Sequence, residues 1–151
     1  MSDKTDLDDL LERLDGSGSD SEYEAIEQLH KQGHRLPALL LAKYKTTRKW
    51  GARSSCVYHS IRYARVSEEA VELGLLALSD RSKAVRYRAC MLLAYSLEKR
   101  VVDELKLLLS SAKLDEEMRK DVEAVLDAVE HQNSDLFVDR ERTGKLSLRI
   151  N

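Results

Sequence analysis

The chain has 151 residues, 42% of them apolar and 5% aromatic, and its formal net charge is −2. That length and apolar content suit one domain with a continuous core, and a Leu-, Ala- and Val-rich composition with a single Pro favours helices. The two cysteines, Cys56 and Cys90, show no CxxC spacing and no histidine pair beside them, and no apolar run reaches the length of a membrane span.

Both cysteines fall inside apolar helical patterns and read as small buried hydrophobes. Met1 is followed by Ser2, Asp3, Lys4 and an acidic segment rather than by a charged-then-apolar leader, so a reducing cytoplasm is the expected setting.

In chain order, Leu7, Leu10, Leu11 and Leu14 recur at helical spacing and predict an acidic helix from Thr5 or Asp6 to Gly16. The run Gly16-Ser17-Gly18-Ser19 reads as a flexible linker, so residues 1–19 form a first segment. A second helix is expected after Asp20 or Ser21, with Tyr23, Ile26 and Leu29 inward, ending near Gly33. Pro37 sits in the first turn of a third helix that runs to about Tyr44.

Thr46 to Gly51 break the pattern before a helix from about Arg53 to Ala64. Ser67 caps a helix reaching Leu78, and Ser82 caps one bearing Val85, Ala89, Leu92, Leu93 and Ser96. Two more are expected from about Val101 to Ser110 and from about Asp115 to Gln132, completing a helical unit over residues 20–133. The tail changes period: Leu136 and Val138, then Leu146, Leu148 and Ile150, alternate around Arg142-Thr143-Gly144-Lys145, which predicts a β-hairpin in residues 134–151.

The later helices repeat. Residues 70–78 align with 101–109, pairing Leu76 with Leu107 and Leu78 with Leu109 at an offset of 31. In the helix that follows, an offset of 33 pairs Val85-Arg86 with Met118-Arg119 and Leu92-Leu93 with Val125-Leu126, and the same shift backwards pairs Ala52-Arg53 with Val85-Arg86. A two-helix period is the mark of an α-solenoid.

Asp80, Val85-Arg86, Ala89 and Leu92-Leu93 resemble the second half of a HEAT repeat, and the resemblance extends over residues 36–132. It implies an all-α solenoid of about three helical hairpins, with Asp and Arg bracing neighbouring repeats and a curved face for binding a partner. The turn before Met118 lacks the matching Asp, and the first unit carries Ser and Tyr where later units carry Leu. The stretch from Trp50 to Ser96 also resembles small bacterial HEAT-like proteins, and some small bacterial helical-repeat proteins neutralise toxins as immunity partners. Such motifs carry the scaffold rather than the identity of the partner.

Charge is segregated. Residues 1–27 hold ten acids against two bases, residues 28–67 hold nine bases and no acid, and residues 68–151 hold 14 bases and 17 acids. The central block mixes bases with aromatics, and Lys45, Arg48, Lys49, Trp50, Arg53, Tyr58 and Arg62, joined by Tyr87 and Arg88, are the expected partner-binding residues. The competing reading is that these bases pair with the acidic N-terminal helices and leave only a solvated surface. Arg53, Arg86 and Arg119 recur at the starts of alternate helices, a ladder better suited to bracing repeats than to meeting a partner.

No catalytic set emerges. His59 lies near Ser55, Tyr58 and Tyr63, yet no acid occurs between Glu27 and Glu68, so it reads as a partly buried hydrogen-bonding histidine. His30 and His34 stand at i and i+4 with no third ligand in view and read as surface residues. A Gly-rich phosphate loop is missing as well, and neither cofactor nor metal is expected. The expected role is non-catalytic binding of a protein with an acidic surface, with nucleic-acid binding through residues 31–65, as in HEAT-like DNA glycosylases, as the alternative. The sequence pI near 6.1 weighs against that alternative.

Overall fold

The computed structural model describes residues 3–150 of the protein. The acidic leucine stripe forms α1 (Asp3–Glu12), and Leu14 just beyond it is fully buried. Ser19 caps α2 (Asp20–Leu29) by accepting the Glu22 amide hydrogen at 3.2 Å. A kinked 3-10 turn, with Gly33 at φ 58°, turns the chain into α3 (Leu36–Thr46), where Pro37 occupies the first turn.

α4 (Trp50–Ser60) starts three residues before the expected Arg53, because Trp50 and Gly51 join the helix instead of the preceding loop. Ser67 caps α5 (Glu68–Ala77) by accepting from the Ala70 amide. α6 (Lys83–Ser96) ends at Leu97 in the left-handed conformation, φ 56°. α7 (Val102–Leu109) and α8 (Glu116–Glu130) close the helical part, α8 being capped by Asp115, which accepts from the Met118 amide at 2.7 Å.

The helices pack as hairpins: α3 on α4, α5 on α6, α7 on α8. Hairpins stack through α4, α6 and α8 in one layer and α3 and α5 in the other, so alternate helices share a face. Between the layers Leu40, Val57, Leu73, Leu92, Leu93, Leu105 and Val125 are fully buried, and each such side chain contributes roughly 1.5–3 kcal/mol by leaving water. Cys56 and Cys90 belong to this core, and burial pushes each thiol up to about 12, which keeps it protonated and unreactive. No described helix is long and apolar enough to cross a membrane.

The expected C-terminal β-hairpin is not there: no strand forms among the described residues. Asn133 accepts from the Asp135 amide and starts a 3-10 turn (Ser134–Phe137) that packs on α8 and α6. This turn buries Phe137 completely, its ring 5.7 Å from Tyr87, whereas an extended strand would have sent Phe137 opposite to Leu136 and Val138.

The amides that a partner strand would have paired go to carboxylates instead. Asp139 accepts from the Thr143 amide at 3.0 Å, the Thr143 hydroxyl at 2.8 Å and the Gly144 amide at 2.7 Å, while Asp135 accepts from the Leu148 amide at 2.9 Å. Leu148 and Ile150 still pack on the core, and Leu146 is exposed. The tail therefore reaches the core through Leu148 and Ile150 without a partner strand.

Candidate docking groove

Glu22 is the structural centre of the N-terminal region. On α2 the buried set is Glu22, Ala25, Ile26 and Leu29, which turns Tyr23 outward rather than inward as the helical spacing suggested. The Glu22 carboxylate accepts from the Gly16 amide at 2.7 Å, the Gly18 amide at 2.8 Å and the Ser55 hydroxyl at 2.8 Å. The Gly16 to Ser19 run is thereby held to α2 and α4. Gly16, at φ +79°, lies so close to Gly51 that a Cβ there would meet the Gly51 carbonyl oxygen at 2.2 Å. α1 is drawn back over the fold as well, since its Leu7, Leu10 and Leu11 pack on the core and the Lys43 ammonium donates to the Leu11 carbonyl.

Beside this anchor α2, α4 and α6 border an open groove of about 570 Å³. Tyr23, Trp50 and Tyr58 line it at 63%, 59% and 42% exposure, so three of the chain's large exposed side chains share one concavity. Arg88 also lines it, with its guanidinium carbon 4.4 Å from the Tyr58 ring centre, a cation–π contact worth about 0.5–2 kcal/mol. Ser54, Ser55, His59 and Glu22 supply the polar part of the lining. Ala84 lines both this groove and a neighbouring hollow of about 430 Å³ between α6 and α8, and the hollow is where Tyr87 sits.

The structure divides the expected partner-binding residues. Trp50, Tyr58 and Arg88 meet in the groove, and Tyr87 lies next to it. Arg48 and Lys49 are exposed in the two positions before α4, beside Trp50. Lys45 is exposed too but faces Glu72 at 3.9 Å, and Arg62 lies over the Tyr63 ring.

Arg53 is buried. It forms a two-point ion pair with Asp80, 2.8 and 3.1 Å, and donates to the Arg48 carbonyl. Asp80 also accepts from the Tyr44 hydroxyl at 2.7 Å and the Ser82 amide at 2.9 Å. Burial alone would raise the Asp80 carboxyl; the hydrogen bonds from Arg53, Ser82 and Tyr44 outweigh it and hold the group below its usual range. Conversely, burial and the bond to Asp80 push the Tyr44 phenol upward.

Arg86 and Arg119 complete the ladder on backbone carbonyls. Arg86 donates to Asp80 and Arg81, Arg119 to Leu109 and Ser111. All three arginines thus tie down the turn inside their own hairpin, and Arg53 additionally reaches the next hairpin through Asp80.

His59 makes ring contacts, its centroid 5.1 Å from Tyr58 and 6.3 Å from His30, and no hydrogen bond to its ring forms among the described residues. Burial pushes its imidazole down to about 4, so it is neutral near pH 7. His30 is partly buried, not a surface residue, with Nδ1 2.7 Å from the Tyr63 hydroxyl. Among the described residues no group of three or more His, Cys, Asp or Glu is placed to hold a metal ion.

Glu22, Tyr23 and Ser54 lie outside the partner-binding set that the sequence predicts, Tyr23 being expected in the core. Glu22 was one acid among ten, and only its burial on the α2 stripe distinguishes it. No protein-family model matches the chain, and no curated protein matches it.

Proposed function

We propose that the protein is a non-catalytic, HEAT-like helical-repeat module that docks another protein in the groove between α2, α4 and α6. One observation carries this reading: Tyr23, Trp50 and Tyr58 are all widely exposed and all line the same concavity. Monomeric folds rarely leave aromatic surface in one place without a use, and binding energy at protein interfaces concentrates in Trp, Tyr and Arg anchors.

Arg48 and Lys49 stand beside Trp50 and supply a basic rim for an acidic partner surface. An adaptor, or an immunity protein that occludes a toxin, would use such a surface in the cytoplasm. Several of the other central bases are engaged apart from one another: Arg53 is in the core, Lys43 donates to the Leu11 carbonyl, Lys45 faces Glu72, Arg62 lies over the Tyr63 ring and Arg65 caps the Tyr95 carbonyl. That dispersal favours a protein over a nucleic acid, which needs a continuous cationic track. In the groove the Ser55 hydroxyl donates to Glu22, a carboxylate that also holds the Gly16 and Gly18 amides, so this contact serves to anchor the glycine loop on α2 and α4.

The test is affinity capture from lysate with wild type and with a Lys49→Glu, Trp50→Ala double variant, each with and without nuclease. A protein retained by wild type after nuclease and lost by the variant, whose helical circular dichroism is unchanged, is the expected result. Retention by both proteins would overturn the groove as the docking site, and material lost only on nuclease treatment would favour nucleic acid.

A further inference from the structure

Among the described residues no fully buried side-chain polar atom lacks a hydrogen-bond partner, but the polar groups in the groove differ in how many they have. Glu22 is 6% exposed, and its three partners are neutral donors: Gly16 N–H and the Ser55 hydroxyl on Oε2, Gly18 N–H on Oε1. A carboxylate presents about four acceptor positions, so one on Oε1 is unused, and no ion pair to Glu22 forms among the described residues. A buried carboxylate without a counter-charge is unfavourable relative to one that has it. Ser54, also 6% exposed and lining the groove, makes no side-chain hydrogen bond among the described residues.

The aromatic walls are unevenly used too. Tyr58 already carries the guanidinium of Arg88, whereas Tyr23 on α2 and Trp50 at the start of α4 carry no cation among the described residues. Asp20 and Glu27, exposed on α2 at three residues before and four after Tyr23, add negative potential on that side.

We propose that the groove receives the guanidinium of an arginine carried by the docked polypeptide, donating to Glu22 Oε1 and the Ser54 hydroxyl and flanked by the Tyr23 and Trp50 rings. A guanidinium fits better than an ammonium because it is planar, weakly hydrated, stacks on aromatic faces and carries several donors in one plane. Acidic residues beside that arginine would meet Arg48 and Lys49 on the rim. The inference rests on the docking reading above and names its anchor.

Trp50 is the only tryptophan in the chain, so its emission reports the groove directly. The probes are three capped tripeptides, acetyl-Gly-X-Gly-amide with X as Arg, its neutral isostere citrulline, or Lys, titrated in about 0.15 M salt. The arginine peptide is expected to shift the emission saturably, about fivefold more tightly than either of the others, with Ser54→Ala and Tyr23→Ala each weakening it by about fivefold. Tyr23 is exposed and Ser54→Ala removes only an unbonded hydroxyl, so neither variant disturbs the fold; helical circular dichroism checks this.

Equal binding of the citrulline peptide, tighter binding of the lysine peptide, or no saturable shift with arginine would each overturn the anchor. The docking reading is judged separately: if the Lys49→Glu, Trp50→Ala variant still loses its protein partner while the arginine peptide fails, docking stands and only the anchor falls.

Discussion

Replacing Arg53 by Met tests whether this residue is part of the scaffold or of the partner surface. The Arg53 side chain is 11% exposed and the Asp80 side chain 3%, and their two-point contact joins α4 to the turn before α6. Removing one member of a buried ion pair typically costs about 3–5 kcal/mol, since the remaining charge is left uncompensated. Asp80 would keep the Tyr44 hydroxyl and the Ser82 amide, which places the expected loss near the lower end, about 3 kcal/mol.

Urea unfolding followed by helical circular dichroism measures this loss, and the midpoint temperature should fall by roughly 6–12 °C for a chain of this size. An Arg53→Met, Asp80→Asn double variant should cost clearly less than the two single losses added together, as expected for side chains in direct contact. The pair also has a pH signature. Asp80 is held below its usual range, so the stability it contributes is present above the unfolded carboxyl value of about 3.9 and disappears as pH falls through the lower folded value. A single-variant loss under about 1 kcal/mol, together with additivity in the double variant, would refute the bracing role.

Three further outcomes follow from particular contacts. Gly16→Ala should destabilise by about 1–3 kcal/mol, because the added Cβ meets the Gly51 carbonyl oxygen and the φ of +79° suits glycine alone; faster tryptic cleavage after Arg13 checks that the loop has been unseated. Stability should fall as pH drops from 6.5 towards 4, because an unfolded His59 takes up a proton that the buried one excludes down to about 4. That loss is on the order of 3 kcal/mol, His30 adds in the same direction, and a His59→Gln variant should lose much less between pH 7 and about pH 4.5 in urea titrations. Phe137→Ala should cost about 3–5 kcal/mol by equilibrium unfolding, and a loss near that of an exposed side chain would contradict the packing of the C-terminal turn on α6 and α8.

The helices were legible because their determinants are local. Leucine spacing in 7–14, the Ser67 and Asp115 caps, and Pro37 in a first turn all act within four residues of themselves, and the observed elements follow them to within a few positions. The 31- and 33-residue offsets likewise identify which helices occupy equivalent positions, since α5 with α6 and α7 with α8 pack as hairpins.

What the sequence left open depends on contacts between distant segments. Alternation at Leu146, Leu148 and Ile150 predicts a strand, but Leu148 and Ile150 pack on the core while Leu146 stays exposed, and the amides of the tail are taken up by Asp135 and Asp139 rather than by a partner strand. A run of bases says that a region is cationic; only packing shows that Arg53 is spent on Asp80 while Arg48 and Lys49 reach solvent. Tyr23 was misplaced for the same reason. A short stripe fixes the buried face of α2 only to within about one residue, a rotation of roughly 100°, and it is the placement of Glu22 against Gly16, Gly18 and Ser55 that turns the ring into the groove. Local periodicity therefore determined the helices and their order, and the groove came into being only where three helices and a glycine loop, far apart in sequence, closed around one buried carboxylate.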